Sequence, residues 1–273
     1  MGAADFGYKG KRVLVVGGAS GMGAAAAKVV ADLGAEVIVM DVAEVTFPAA
    51  QVIKVDLRDK ESVNAACDAI TGPIHAVFSC AGVADGTNGL MLINYISQRH
   101  IIDRLINTGV VGRGAAIVMI SSVAGLGWQP NLAQMLEVIG ASDWESCVAW
   151  LDANPGNDHY LFSKMAINTY VSHEAFSLAQ QGIRINAILP GPTDTPLARA
   201  NADTWLTFGE EFRKAASVET LVPEQMANTM AFLCSDAASG VNGIIMLVDG
   251  GHVSSAITGS FDEPLVKLLM GIS

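Results

Sequence analysis

No apolar run in this 273-residue chain approaches the ~18 residues that a membrane-spanning helix requires, so no membrane span is expected. Basic charge is scarce as well: 16 Lys and Arg stand against 27 Asp and Glu, a formal net charge of −11. Nucleic acids and anionic lipid surfaces are held through basic patches, and this balance argues against both partners. The opening stretch MGAADFGYKGKR has no apolar core of a secretory signal, and Phe6 stands where a myristoylation signal needs Ser or Thr. A cytoplasmic protein is the expectation. Cys67, Cys80, Cys147 and Cys234 include no C-x-x-C pair, so no metal site or redox dithiol is expected, and the four read as buried free thiols. Proline is also sparse, at 9 residues, while 51% of the chain is hydrophobic. That composition can bury a sizeable core and lacks the signature of disorder.

The apolar residues fall into a regular alternation. Short, mostly β-branched runs at 13–16, 37–40, 52–55, 76–80, 116–120, 183–188 and 243–248 read as strands covered on both faces. Between them lie helical patterns. Residues 23–33 are Ala-rich and stop at Gly34, while Ile167, Val171, Ala175 and Leu178 share one face of a helix that Gly182 ends. The alternation predicts an α/β Rossmann-type, doubly wound parallel sheet of about seven strands with helices on both faces. With no linker or internal repeat, residues 1–273 read as a single domain. The stretch 126–157, with Trp128, Trp144 and Trp150, breaks the rhythm and is too long for an open loop, so it is expected to carry short helices of its own. Residues 252–273 form an extension past the last strand, suited to a lid or a subunit contact.

The first strand runs into Gly17-Gly18-Ala19-Ser20-Gly21-Met22-Gly23 and then into a helix. Glycines at such a junction permit a tight turn and let backbone N–H groups approach a pyrophosphate at the helix N-terminus, although a Gly-rich turn alone is also ordinary punctuation. Asp41 ends the second strand, where a carboxylate accepts both adenosine-ribose hydroxyls and repels a 2′-phosphate. Neither Val42 nor any residue of the loop is basic, which favours NAD over NADP. Asp56 and Leu57 close the third strand and are placed to flank the adenine.

Tyr160 and Lys164 lie four apart at the start of a helix and share a face. A free tyrosine has a pKa of ~10, and bringing it to neutrality takes roughly 4 kcal/mol of phenolate stabilisation. Lys164 as a nearby cation and the positive end of the helix dipole are the expected sources, with a cationic nicotinamide ring supplying the rest. Tyr-x-x-x-Lys is common by chance, but its surroundings are specific. Ser121-Ser122-Val123-Ala124-Gly125 places hydroxyls at a strand's carboxyl end, and Asn94 sits in an otherwise apolar helix. Pro190, Gly191, Pro192, Thr193, Asp194, Thr195 and Pro196 form a rigid loop after the sixth strand, suited to covering a nicotinamide.

From about residue 11 to residue 251, these features together resemble the short-chain dehydrogenase/reductase family. The resemblance implies that Ser122 holds a substrate carbonyl, that Tyr160 donates or takes the proton, and that Lys164 also binds the nicotinamide ribose. It further implies that Asn94 positions a relay water and that Thr195 contacts the nicotinamide end. The dinucleotide would lie along Gly17, Ser20, Gly21, Met22, Gly23, Asp41, Asp56, Leu57, Ala81, Gly82, Pro190, Gly191, Thr193 and Thr195. Three departures stand out. Val16 replaces the family's usual Thr and removes a hydrogen bond, and Ser79-Cys80-Ala81-Gly82 replaces Asn-Asn-Ala-Gly. Ser122 and Tyr160 are also 38 positions apart, so an insertion precedes the helix. It is similar to the insertion of a subgroup that includes bacterial 3-alpha-hydroxysteroid dehydrogenase/carbonyl reductase and coniferyl-alcohol dehydrogenase. In such relatives it covers a face used to build tetramers, so a homodimer is favoured.

Trp128, Met135, Leu136, Trp144 and Trp150 are candidates for the wall of an apolar substrate cleft, or simply for the insertion's own core. The expected reaction moves a hydride between NAD and a bulky secondary or aryl alcohol, hydroxysteroid-like or aromatic, or the matching carbonyl. A 3-oxoacyl-thioester reductase is a second reading, opposed by Asp41 and the acidic balance, and a non-catalytic NAD-binding regulator on the same fold is a third.

Overall fold

The computed structural model describes residues 5–272, so residues 1–4 of the N-terminal stretch and Ser273 lie outside the described residues. The chain begins β1 (Arg12–Val16), α1 (Gly21–Asp32), β2 (Glu36–Asp41), β3 (Gln51–Lys54), α2 (Lys60–Asp68) and β4 (Ile74–Ser79). It continues with α3 (Ser97–Asn107), β5 (Val111–Ile120), α4 (Leu132–Gly140), α5 (Trp144–Ala153), α6 (Tyr160–Gln181) and β6 (Arg184–Pro190). Helices α7 (Pro196–Ala200), α8 (Ala202–Trp205), α9 (Glu210–Ala216) and α10 (Pro223–Cys234) precede β7 (Ile245–Val248), α11 (His252–Thr258) and α12 (Pro264–Met270). No helix among the described residues is long and apolar enough to cross a membrane.

The seven strands form one sheet in the order β3-β2-β1-β4-β5-β6-β7, with every neighbouring pair parallel. Side chains alternate between its faces, as strand geometry requires. Leu14, Val16, Ile38, Met40, Ile117 and Met119 enter one core with residues of α3 and α6. Val13, Val15, Val37, Val39 and Phe78 enter the other, against Ala26 and Val30 of α1 and Met226 and Met230 of α10. This double burial is why the runs read as continuous apolar segments. β5 begins earlier than the pattern suggests, because Gly112, Arg113 and Gly114 interrupt it. There the Gly114 N–H donates to the Gly182 carbonyl at 2.8 Å.

The insertion does form helices. Asp143 caps α5, its Oδ1 accepting from the Ser146 N–H at 2.8 Å while its own N–H donates to Ser146 Oγ at 3.1 Å. Arg99 of α3 is buried, and its Nη1 donates to the carbonyls of Ile139 (3.0 Å) and Ala141 (2.6 Å) at the end of α4. Trp144 packs edge-on against His100 of α3, and Trp150 stacks on Phe162 of α6, both with ring centroids 5.6 Å apart. The insertion is thus a two-helix cap over α3 and α6.

The C-terminal segment docks through a buried aromatic nest. His252 is surrounded by Phe208, Phe212 and Phe261, and its Nε2 lies 3.3 Å from Glu263 Oε2. From there α12 packs on a 3-10 turn, Val123–Trp128, that follows β5.

Replacing Arg99 with Met removes the guanidinium from both closing carbonyls of α4, leaving that of Ala141 only the Cys147 thiol. Urea denaturation is expected to show a loss of about 2 kcal/mol. Amide exchange should rise in α4 and α5 before it rises in β5, and uniform exchange across both would contradict the pinning role.

Candidate functional site

Between β1 and β4 the strand order reverses, and their carboxyl ends part to leave a crevice. Two adjoining cavities occupy it. The first, about 280 Å³, is lined by Gly17, Ser20, Gly21, Met22, Gly23, Asp41, Asp56, Leu57, Ala81, Gly82 and Thr195, all residues expected to lie along a dinucleotide. Its floor requires glycine. Gly17 has φ +79°, and a Cβ there would lie 2.5 Å from the backbone of Ala81. A Cβ on Gly23 would collide with the Gly17 carbonyl oxygen. Ser20 precedes α1 without a side-chain capping bond, and the first turn carries no acidic residue. The helix therefore presents free N–H groups and the positive end of its dipole to the cavity. Asp41 is fixed at the rim, Oδ2 accepting from the Ala19 N–H (2.8 Å) and Oδ1 from the Ala43 N–H (2.9 Å).

Two residues here escaped the sequence reading. Arg58 lines the same cavity and pairs bidentately with Asp56, Nε to Oδ1 at 3.0 Å and Nη2 to Oδ2 at 2.7 Å. The guanidinium holds the Asp56 carboxyl below the usual carboxylate range. Gln98, the second residue of α3, supplies the side-chain support missing from Ser79-Cys80-Ala81-Gly82. Its Nε2 donates to the carbonyls of Ala81 (2.8 Å), Ile93 (2.9 Å) and Asn94 (2.9 Å), and Ser79 Oγ donates to its Oε1. Where Val16 replaces Thr, backbone bonds hold the turn: the Gly17 N–H donates to Met40 O and the Cys80 N–H to Val16 O, both at 2.8 Å.

The second cavity, about 350 Å³, abuts the first across Met22, Cys80, Gly82, Thr195 and Leu197, which line both. Ser122, Tyr160 and Lys164 face it together with Pro190, Gly191 and Thr193. Tyr160 opens α6, where His159 Nδ1 accepts from the Phe162 N–H at 3.3 Å and Asp85 Oδ1 accepts from the Tyr160 N–H at 2.7 Å. One turn on, Lys164 is buried. Its Nζ lies 5.4 Å from the centre of the Tyr160 ring and donates to the Ile120 carbonyl at 3.0 Å. Ser122 shares this cavity with the Tyr160 phenol and favours its ionisation, and its Oγ accepts from the Ala124 N–H at 3.1 Å. Thr193 Oγ1 donates to the Gly191 carbonyl (2.9 Å), and Thr195 Oγ1 caps α7 by accepting from the Ala198 N–H (3.1 Å).

Several expectations need correction. Tyr160 is not brought toward neutrality in the ligand-free protein: burial pushes it up to about 12, and the Asp85 carboxylate adds to the rise. The Ser122 hydroxyl opposes that rise, while Lys164 points its charge at a backbone carbonyl. Lys164 is itself pushed down to about 8 by burial. Asn94, in a π-helical turn at Leu92–Ile96, lines neither cavity. Its side chain is spent on the Val83 N–H (2.8 Å), the Val83 carbonyl (3.1 Å) and Ser163 Oγ (3.1 Å). The insertion does not wall the cavity either. Met135 and Trp144 are buried in the core and Trp150 lies on Phe162, as the core reading expects, while Leu136 is exposed and Trp128 half-buried, so those two fit neither reading.

The apolar wall comes instead from Leu197, Trp205, Phe208, Leu265 and Leu269, with the Trp205 ring 4.7 Å from that of Tyr160. An apolar run before Gly209 and the apolar end of the C-terminal extension were the available signals. Among the thiols, Cys67, Cys147 and Cys234 are buried as expected, whereas Cys80 is partly open where the cavities meet, and all four are free.

Comparison with known proteins agrees with this architecture. Residues 11–134 match the family model described as short chain dehydrogenase, and residues 145–253 match that described as enoyl-(acyl carrier protein) reductase. The chain is 32% identical to cis-4-hydroxycyclohexanecarboxylate dehydrogenase of Sinomonas cyclohexanicum, covering 89% of this chain and 97% of that protein. It is 31% identical to the 3-alpha-hydroxysteroid dehydrogenase/carbonyl reductase of Comamonas testosteroni (88% and 95% covered). Identity to the coniferyl-alcohol dehydrogenase of Pseudomonas sp. (strain HR199 / DSM 7063) is 27% (90% and 98% covered). The fold is shared with the crystal structure of a 3-alpha-hydroxysteroid dehydrogenase from Pseudomonas sp. B-0831 complexed with NADH, at a TM-score of 0.69, 24% identity and coverage of 93% and 100%. A parallel seven-stranded sheet with a glycine cradle and a Ser–Tyr–Lys cavity at its carboxyl edge defines a nicotinamide-dependent oxidoreductase. The chain belongs to the short-chain dehydrogenase/reductase family.

The Tyr160 environment is open to titration. At pH about 10, where a free tyrosine is half ionised, Tyr160 should remain a phenol. The difference in absorbance at 295 nm between the wild type and Tyr160→Phe checks this. Ser122→Ala removes a hydroxyl that favours the phenolate, so it should move the titration further upward.

Proposed function

We propose that this protein transfers a hydride between NAD and a bulky, largely apolar secondary or aryl alcohol, or the matching ketone or aldehyde, with Tyr160 as the acid/base. The observation that carries the reading is that Tyr160, Ser122 and Lys164 line one largely apolar cavity that opens onto the glycine cradle. The cradle fits a dinucleotide because Gly17 and Gly23 leave no room for side chains and α1 presents uncapped N–H groups. Gly17, Ser20, Gly21, Met22 and Gly23 would hold the pyrophosphate, Asp41 the adenosine ribose, and Asp56 and Leu57 the adenine edge. Ala81, Gly82, Pro190, Gly191, Thr193 and Thr195 would line the path to the nicotinamide end, with Lys164 beside its ribose. When bound, the nicotinamide ring supplies the two-electron chemistry.

The protein's own groups handle the proton. Tyr160 gives its proton to the carbonyl oxygen in reduction and takes one from the hydroxyl in oxidation. The Ser122 hydroxyl donates to the same oxygen and offsets its developing charge. Lys164, charged below its pKa of about 8, favours the phenolate once the phenol has lost its proton. Asn94 acts on this set through the backbone of Val83 and through Ser163 rather than from the cavity wall.

NAD is favoured over NADP because Asp41 is locked at the rim by two backbone N–H groups, and Arg58, the one cation among the described residues lining that cavity, is neutralised by Asp56. The apolar wall suits ring systems such as those in the names of the hydroxysteroid and coniferyl-alcohol relatives. A 3-oxoacyl-thioester reductase would need a basic approach for an acidic carrier, which Asp85 at the cavity and the net charge of −11 oppose. A homodimer is favoured over a tetramer because α4 and α5 cover parts of α3 and α6.

A turnover screen of steroid, aryl and aliphatic alcohols with NAD and NADP tests the reading. Tyr160→Phe should lower kcat by about 10³-fold, in keeping with the loss of a general acid/base. Asp41→Ser should narrow the preference for NAD. A Tyr160→Phe enzyme with full activity, or a wild type that prefers NADP, would overturn the corresponding assignment.

A further inference from the structure

One charged side chain of the second cavity has no part in the proton transfer described above. Asp85 lies in the loop after β4, lines the cavity, and holds the first N–H of α6 at 2.7 Å. We propose that Asp85 positions Tyr160 and sets the charge selectivity of the cavity, so that neutral alcohols and ketones are accepted and carboxylate-bearing ones are rejected. The inference rests on reading this cavity as the substrate site of a dehydrogenase.

The positioning argument is geometric. Tyr160 is the first residue of α6, and its N–H is one of the orphan donors of the helix start. The 2.7 Å bond to Asp85 is shorter than the 3.3 Å ring cap from His159, and a carboxylate at a helix N-terminus also gains from the dipole. A second bond runs the other way: Asp158 Oδ1 accepts from the Met91 N–H at 2.8 Å. The segment after β4 and the start of α6 are therefore joined at two points, and the Tyr160 N–H is one of them.

The selectivity argument is electrostatic. Asp85 and Lys164 are the charged residues among those lining the cavity. Lys164 is buried and committed to the Ile120 carbonyl, so it offers no surface cation to a substrate carboxylate. The nearby Arg199 does not line the cavity and is held by Asp194 at 2.6 and 2.8 Å. A substrate carboxylate would thus meet one like charge and no free partner. The influence of Asp85 already reaches the phenol, whose ionisation it opposes.

The test uses an isosteric pair, 4-oxocyclohexanecarboxylate and 4-oxocyclohexanecarboxamide. Binding is read by tryptophan fluorescence and turnover with NADH. The wild type should favour the amide by about tenfold in kcat/KM, and raised salt should shrink the preference. Asp85→Asn keeps an oxygen for the Tyr160 N–H but removes the charge, so acid and amide should come within about twofold of each other. Asp85→Ala should in addition lower kcat on both compounds, and Asp85→Asn should recover that loss. Failure to favour the amide in binding or turnover overturns the selectivity. A preference that survives in Asp85→Asn overturns it too, because desolvation of the carboxylate would then explain it. Equal kcat in the Asn and Ala variants overturns the positioning role. An enzyme that binds the amide over the acid but reduces neither would sustain the charge selection and sink the dehydrogenase reading.

Discussion

The reversal of strand order between β1 and β4 is the constraint on which the rest of the structure depends. Two neighbouring parallel strands there send their chains in opposite directions, so no helix can cover their carboxyl ends. The glycine loop after β1 and the loop after β4 face each other across the gap, close enough that Gly17 cannot tolerate a Cβ against Ala81. β5 and β6 end on the same edge, delivering Ser122 and the Pro190–Thr195 loop. Groups far apart in sequence become neighbours because one topological choice leaves a single place for them to meet.

Holding that edge open requires polar groups inside the core. Gln98 lies beneath the β4 loop with all of its hydrogen-bonding capacity used, and Asn94 does the same for Val83 from a π-helical turn. Buried amides of this kind are tolerable only when every donor and acceptor is matched. In the pairing of Ser79 with Gln98, the side-chain amide reaches the backbone after β4 from α3.

Much of this was legible before any coordinates. Strand runs could be read because a strand buried on both faces must be continuously apolar, as at Val13, Leu14, Val15 and Val16. The cradle could be read because only glycine fits where α1 meets its own loop. Tyr160 and Lys164 could be paired because helical spacing fixes a shared face. What escaped was set through space rather than along the chain. Asp85 acts on a group 75 residues further along that only the fold brings near, and the raised Tyr160 pKa depends on how tightly its surroundings pack. The tryptophans of the insertion misled because an apolar residue at helical spacing fits a core and a cleft equally well, and its neighbours alone decide between them.

The nest around His252 has a consequence for the order in which the protein becomes competent. It fastens α12, and α12 carries Leu265 and Leu269, which come later in the chain than every other residue of the second cavity. Every residue of the glycine cradle precedes Leu197 or is Leu197 itself. A chain that emerges N-terminus first therefore presents every residue of the dinucleotide half before the far wall of the other half has been made. The apolar end wall of the substrate cavity is the last part of the crevice to be supplied.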